Sequence, residues 1–121
     1  MHATPRSMAL VGAGAAIGAL GRWAVAELIS TDPGRLPWAT LFVNVVGCLV
    51  IGVAARRVRP ATDVWFAWVT GALGGFTTYS TFANEVRGLA ADGHPGLAGI
   101  YLGVTLAAGL VAVEIGRGVA R

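Results

Sequence analysis

The chain has 121 residues, of which 55% are hydrophobic and only 12% charged, about half the charged share of a soluble domain. Its length fits one domain, 1–121, and its composition makes that domain a membrane one. The net charge of +3 comes from nine arginines and no lysine, gathered at the ends of apolar runs where they would meet lipid headgroups, so the basic balance does not point to nucleic acid. Cys48 is the only cysteine and can form no intrachain disulfide; in an apolar run it reads as packing. His2 and His94 have no cysteine or carboxylate at ligand spacing, and His94, before Pro95, reads as a solvated turn histidine.

The first predicted helix runs from about Met8 to Ile29. Gly14 and Gly18 form a close-packing pair, with Gly21 continuing the face. A cleaved leader, with Arg6 as its basic region and Ala24-Val25-Ala26 as its cut site, is the competing reading. Dense glycines and the placement of Arg22 and Trp23 weigh against it. Arg22, near the end of this helix, either faces protein or water, or anchors beside Trp23 at the interface. Ser30 to Pro37 is a turn by composition.

The second helix spans about Trp38 to Ala55. Its only polar side chains, Thr40, Asn44 and Cys48, are four apart and share one face. Asn44 either bridges helices or lines a path. Arg56, Arg57, Arg59 and Pro60 close the helix in an aqueous loop, and Asp63 is placed to cap the next one.

The third helix, about Val64 to Leu89, has a centre ill suited to helix. Gly74 and Gly75 are followed by hydroxyls at Thr77, Thr78, Ser80 and Thr81. In lipid, an opened turn is tolerated only where its backbone is buried in protein or faces a wet cavity. Freed carbonyls and the hydroxyl row are therefore the candidate working parts, against the alternative of a flexible helix with small residues for packing. Tyr79 and Phe82 share a side beyond the break, and Glu85 and Arg87 follow as the helix leaves the membrane. The last helix spans about Gly96 to Ile115, with Tyr101 and Thr105 facing one way and Gly99 and Gly103 as another close-packing pair. Four short helices enclose a private aqueous path with difficulty, so an oligomer is expected.

Three motifs lie in order on helices one to three: Gly18-Ala-Leu-Gly21-Arg22-Trp23, Thr40-Leu-Phe-Val43-Asn44-Val-Val-Gly47, and Thr70-Gly71-Ala-Leu-Gly74-Gly75-Phe-Thr77-Thr78-Tyr79-Ser80-Thr81-Phe82. Over nearly its whole length the chain resembles the small dual-topology fluoride channels (the Fluc, or fluoride exporter, family) of microbial plasma membranes. The resemblance implies an antiparallel dimer of four-helix subunits, with fluoride passing passively through two narrow pores. It implies a structural sodium ion where the broken third helices cross, held by the carbonyls of Gly74 and Thr77. It implies pore aromatics at Tyr79 and Phe82, an amide donor at Asn44, hydroxyls at Ser80, Thr81 and Thr105, and Arg22 in a vestibule. The chain departs from the family pattern at Tyr79, where phenylalanine is usual, and at Ala39 and Ala83.

A non-conducting membrane assembly subunit and a small four-helix drug/proton antiporter are the alternatives. The antiporter needs a carboxylate deep in the first helix, whereas Glu27 is near its end. An enzyme is not expected, because no nucleophile–base pair or metal site stands out. If the amino terminus is cytoplasmic, that side holds Arg6, Arg56, Arg57, Arg59, Arg117 and Arg121, against Arg35, Arg22 and Arg87 on the other. The lean favours one orientation. The partner is thus either a second copy of the chain or a related, inverted subunit. Asn44→Ala is expected to leave folding largely intact while lowering flux.

Overall fold

The computed structural model describes residues 4–120; His2 and Arg121 lie outside them. The chain is all-helical, without a strand among those residues. Helix α1 is Pro5–Leu28, α2 is Trp38–Arg57, and α3 is the π-wound segment Trp65–Leu73 continued by a single α-turn, Gly74–Phe76. Helix α4 is Tyr79–Ala91 and α5 is Pro95–Val119. Three of these, α1, α2 and α5, are long and apolar enough to cross a membrane. Helices α1, α2 and α5 all extend beyond the expected bounds, most clearly α5, which continues through Arg117.

Local chemistry explains the helix ends. Thr4 and Ser7 form a reciprocal cap at the start of α1, with Pro5 in its first turn where a missing N–H costs nothing. The cap expected from Asp63 belongs instead to Thr62, whose hydroxyl accepts from the Trp65 N–H at 3.2 Å. Asp63 is turned to an ion pair with Arg6, joining the starts of α1 and α3. At the opposite end, Gly34 takes a positive φ of 74° in the α1–α2 turn. A Cβ there would stand 3.0 Å from the His94 ring, so glycine lets the two turns at that end touch.

Helices pack in two pairs, α1 against α3 and α2 against α5, with α4 lying on α5. Both pairs are closed by glycine. A side chain at Gly14 or Gly18 would run into the carbonyl oxygens of Ala67 and Ala72, and one at Gly52 into that of Val113. Backbones in contact gain dispersion without needing a hydrophobic driving force, which lipid does not supply. The Gly14–Gly18 face is therefore used inside the subunit. Gly99 and Gly103 meet nothing within 4 Å and lie open on α5.

The small buried core sits where α2, α4 and α5 meet. Leu41, Phe82, Leu89 and Ala98 surround Tyr101, which has no exposed surface. Much of the remaining apolar surface faces outward, including Leu106 and Leu110 on α5 and Trp23 and Trp68 near the two ends. For a chain whose solvent is lipid, that is the expected disposition.

Candidate functional site

The chain departs from helical geometry at Thr77 and Thr78, not at the paired glycines. Gly74 and Gly75 remain helical, and Gly75 is there for contact, since a side chain would meet the Ala15 carbonyl. Thr77 bonds back to Leu73, its N–H at 2.9 Å and its hydroxyl at 3.0 Å from that carbonyl. It then turns extended, at φ −77° and ψ 157°. Thr78 is extended too, at φ −147° and ψ 120°, and its hydroxyl caps α4 by accepting from the Thr81 N–H at 3.2 Å. Two adjacent threonines, each with a hydroxyl that competes for backbone partners, suffice to interrupt the helix.

Asn44 holds this interruption open. Its Oδ1 accepts the Thr78 N–H at 2.8 Å and its Nδ2 donates to the Thr78 carbonyl at 3.0 Å, satisfying both backbone groups of that residue between α3 and α4. The complementary pair fixes which way the amide points. A carboxamide nitrogen carries two N–H groups, so one remains for a further acceptor. The two readings of Asn44 left open by sequence are thus compatible: it bridges helices and keeps a donor in hand. These bonds replace the expectation that Asn44→Ala leaves folding largely intact with one of lost stability, because the N–H and the carbonyl of Thr78 would both lose their partner.

The same bonds release two carbonyls. In a continuous helix the Gly74 oxygen would receive the Thr78 N–H, and the Thr77 oxygen the Thr81 N–H. Those donors go to Asn44 and to the Thr78 hydroxyl instead. Gly74 and Thr77 both line an open, largely apolar cleft of about 490 Å³ between α2, α3 and α5. Two bare carbonyls suit a hard cation that takes oxygen ligands. Among the described residues no group of histidine, cysteine and carboxylate side chains could hold a metal.

The expected pore residues divide between two clefts. Asn44, Tyr79, Phe82 and Thr105 line the 490 Å³ cleft. Tyr79 is 81% exposed, while Phe82 is buried, 6.3 Å from the Tyr79 ring centre and edge-on to Tyr101 at 5.2 Å. Thr105 lines this cleft, and its hydroxyl is buried and finds no partner among the described residues. Thr81 lies with half-buried Arg22 in a second cleft of about 320 Å³, between α1, α2 and the break. Thr78 lines both, so the Asn44-held peptide separates the two clefts. Ser80 lines neither; its hydroxyl is 3.5 Å from that of Thr78.

One polar group escaped sequence reasoning. Glu85, expected where the helix leaves the membrane, makes bonds which that expectation did not include. It is half-buried, accepting from the Thr40 hydroxyl at 2.8 Å and from the Tyr101 hydroxyl at 2.7 Å. The signal was available: Glu85 follows Phe82 by three and precedes Leu89 by four, so it shares their buried face. Tyr101→Phe keeps the ring and removes one of the carboxylate's donors. We expect it to lower stability by about 1.5–3 kcal/mol, the worth of a hydrogen bond to a charged group, read as an earlier thermal transition of the detergent-purified protein.

Comparison with known proteins fits this architecture. Residues 9–117 match the model of the CrcB-like protein, Camphor Resistance (CrcB), family. The chain is 45% identical to fluoride-specific ion channel FluC 2 of Streptomyces avermitilis, over 87% of this chain and 69% of that protein. It is 41% identical to FluC 2 of Nocardia farcinica, over 97% and 86%, and 40% identical to FluC of Rhizobium leguminosarum, over 93% and 94%. With a family match across nearly its whole length and three helices of spanning length, the chain is a multi-pass membrane protein and belongs to the CrcB-like family.

Proposed function

We propose that the protein is a channel, not an enzyme, that lets fluoride leave the cell passively across the plasma membrane. The observation that carries this reading is the interruption at Thr77–Thr78. There Asn44, whose amide nitrogen uses one N–H on the Thr78 carbonyl and keeps a second, lines one cleft with Phe82 and with Thr105, whose buried hydroxyl is unpaired among the described residues. Fluoride is small and strongly hydrated, so a selective path must replace water with closely spaced donors. The relatives named above carry fluoride channel in their names, which supports the choice of anion. Arg22, beside Thr81 in the second cleft, draws anions toward the path without placing a fixed cation deep within it.

In this reading α3 and α4 together make the fourth membrane crossing. Tyr79, Phe82, Ser80, Thr81 and Thr105 contribute to pores completed by a second, inverted subunit. The apolar 490 Å³ cleft and the exposed Tyr79 suit cover by that subunit. A sodium ion held by the Gly74 and Thr77 carbonyls, with their counterparts in the partner, would pin the two interruptions together. The partner is a second copy of the chain or a related subunit with the opposite charge bias. A drug/proton antiporter is disfavoured because Glu85 is tied to Thr40 and Tyr101, and Glu27 lies near the end of α1.

Expression in a fluoride-sensitive bacterium lacking its own fluoride export tests the proposal. Growth at inhibitory external fluoride should be restored by the chain, alone or with its inverted partner. Failure of both, with protein present in the membrane, would reject it.

A further inference from the structure

The starts of α1 and α3 and the ends of α2 and α5 lie at one end of the bundle. The Arg6–Asp63 ion pair joins the first two, and the Arg57 Nε, 3.1 Å from the Ala120 carbonyl, joins the others. Within the described residues this end carries five arginines, Arg6, Arg56, Arg57, Arg59 and Arg117, against two carboxylates. Both carboxylates are taken: Asp63 by Arg6, and Glu114 by Arg117 at 2.8 Å. Arg56, Arg57 and Arg59 are exposed and have no carboxylate partner among the described residues. The other end sets Arg22, Arg35 and Arg87 against Glu27, Asp32, Glu85 and Asp92.

The basic cluster is held, not loose. The Thr62 hydroxyl donates to the Arg59 carbonyl at 2.8 Å while accepting from the Trp65 N–H, so the turn after α2 is braced onto the start of α3. Trp65 and Trp68 occupy the first turns of α3, and Trp68 is 60% exposed, as an anchor at the edge of the hydrocarbon is. Arginines just beyond such a belt lie at the depth of lipid phosphates. A guanidinium presents paired donors that match a phosphate's oxygens.

We propose that Arg56, Arg57 and Arg59 form a docking surface for the headgroups of anionic phospholipids in the leaflet at this end. The surface lies apart from both clefts, and its lipid selectivity is independent of the ion conducted. Each arginine near an anionic surface strengthens attachment by about fivefold, so losing two weakens it roughly 25-fold.

The test uses the full chain purified in detergent, titrated with phosphatidylglycerol or phosphatidylcholine, with bound lipids counted by native mass spectrometry. Arg56→Gln with Arg59→Gln is the informative variant, because it spares the Arg57 bond to Ala120. We expect phosphatidylglycerol to be retained preferentially, the preference to fall with salt, and the double variant to lose it while melting like the parent. Arg87→Gln, at the opposite end, should retain the preference. Equal retention of the two lipids by the parent would overturn the proposal. So would an equal loss in Arg87→Gln, which would reduce the effect to net charge. Full displacement by excess inorganic phosphate would make the cluster a free-anion site instead.

Discussion

Replacing Asn44 with alanine should cost about 2–4 kcal/mol of stability and lower fluoride flux at least tenfold, because one side chain serves both fold and path. The variant strands the N–H and the carbonyl of Thr78, each left without the partner it has at 2.8 and 3.0 Å. An unsatisfied buried polar group costs about 1–3 kcal/mol, and water is scarce at this depth. Asn44→Asp separates the two roles. A carboxylate still accepts the Thr78 N–H, but it faces the Thr78 carbonyl and sets a negative charge beside an anion path. We expect Asn44→Asp to melt above Asn44→Ala while conducting no better. Melting curves in detergent paired with fluoride efflux from liposomes check both. An Asn44→Ala protein that melts like the parent would show that the bridge does not support the fold.

Withholding sodium should have the second largest effect. The Gly74 and Thr77 carbonyls lack helical donors, and a bare carbonyl facing an apolar cleft is costly unless a cation or a donor meets it. Protein purified throughout with N-methyl-D-glucamine in place of sodium should melt earlier and conduct little. A ligand present at a hundred times its dissociation constant stabilises the state that binds it by about 2.7 kcal/mol. Returning sodium should restore the transition in a saturable way, whereas potassium or more N-methyl-D-glucamine should not. Indifference to sodium through purification, melting and flux would remove the ion from the account.

Much of the architecture was legible because membrane helices are written in long apolar runs and loops in proline, glycine and charge. The starts of α2 and α5 fall within a residue of expectation for that reason. The interruption was legible as a region but not as a position. Glycine is a poor helix former in isolation, yet Gly74 and Gly75 stay helical, and α1 packs directly against Gly75. The adjacent threonines, which look milder by propensity, carry the hydroxyls that divert the backbone bonds. The bonds of Glu85 were missed because a carboxylate near a helix end usually marks water. Only the third dimension shows Thr40 and Tyr101 waiting for it. Similarly, the Gly14–Gly18 pair signals close approach but does not say to whom; it meets α3 of its own chain.

Selective, passive permeation is the central claim, and liposomes test it most directly. Vesicles loaded with fluoride or with chloride and bearing the purified chain, alone or with its inverted partner, are diluted into anion-poor buffer. Valinomycin and potassium balance the charge. A fluoride electrode should record prompt, complete efflux with no proton gradient or ATP supplied, while chloride-loaded vesicles keep their contents. Matching release of both anions would contradict selectivity, and retention of fluoride despite correctly inserted protein would contradict the channel itself.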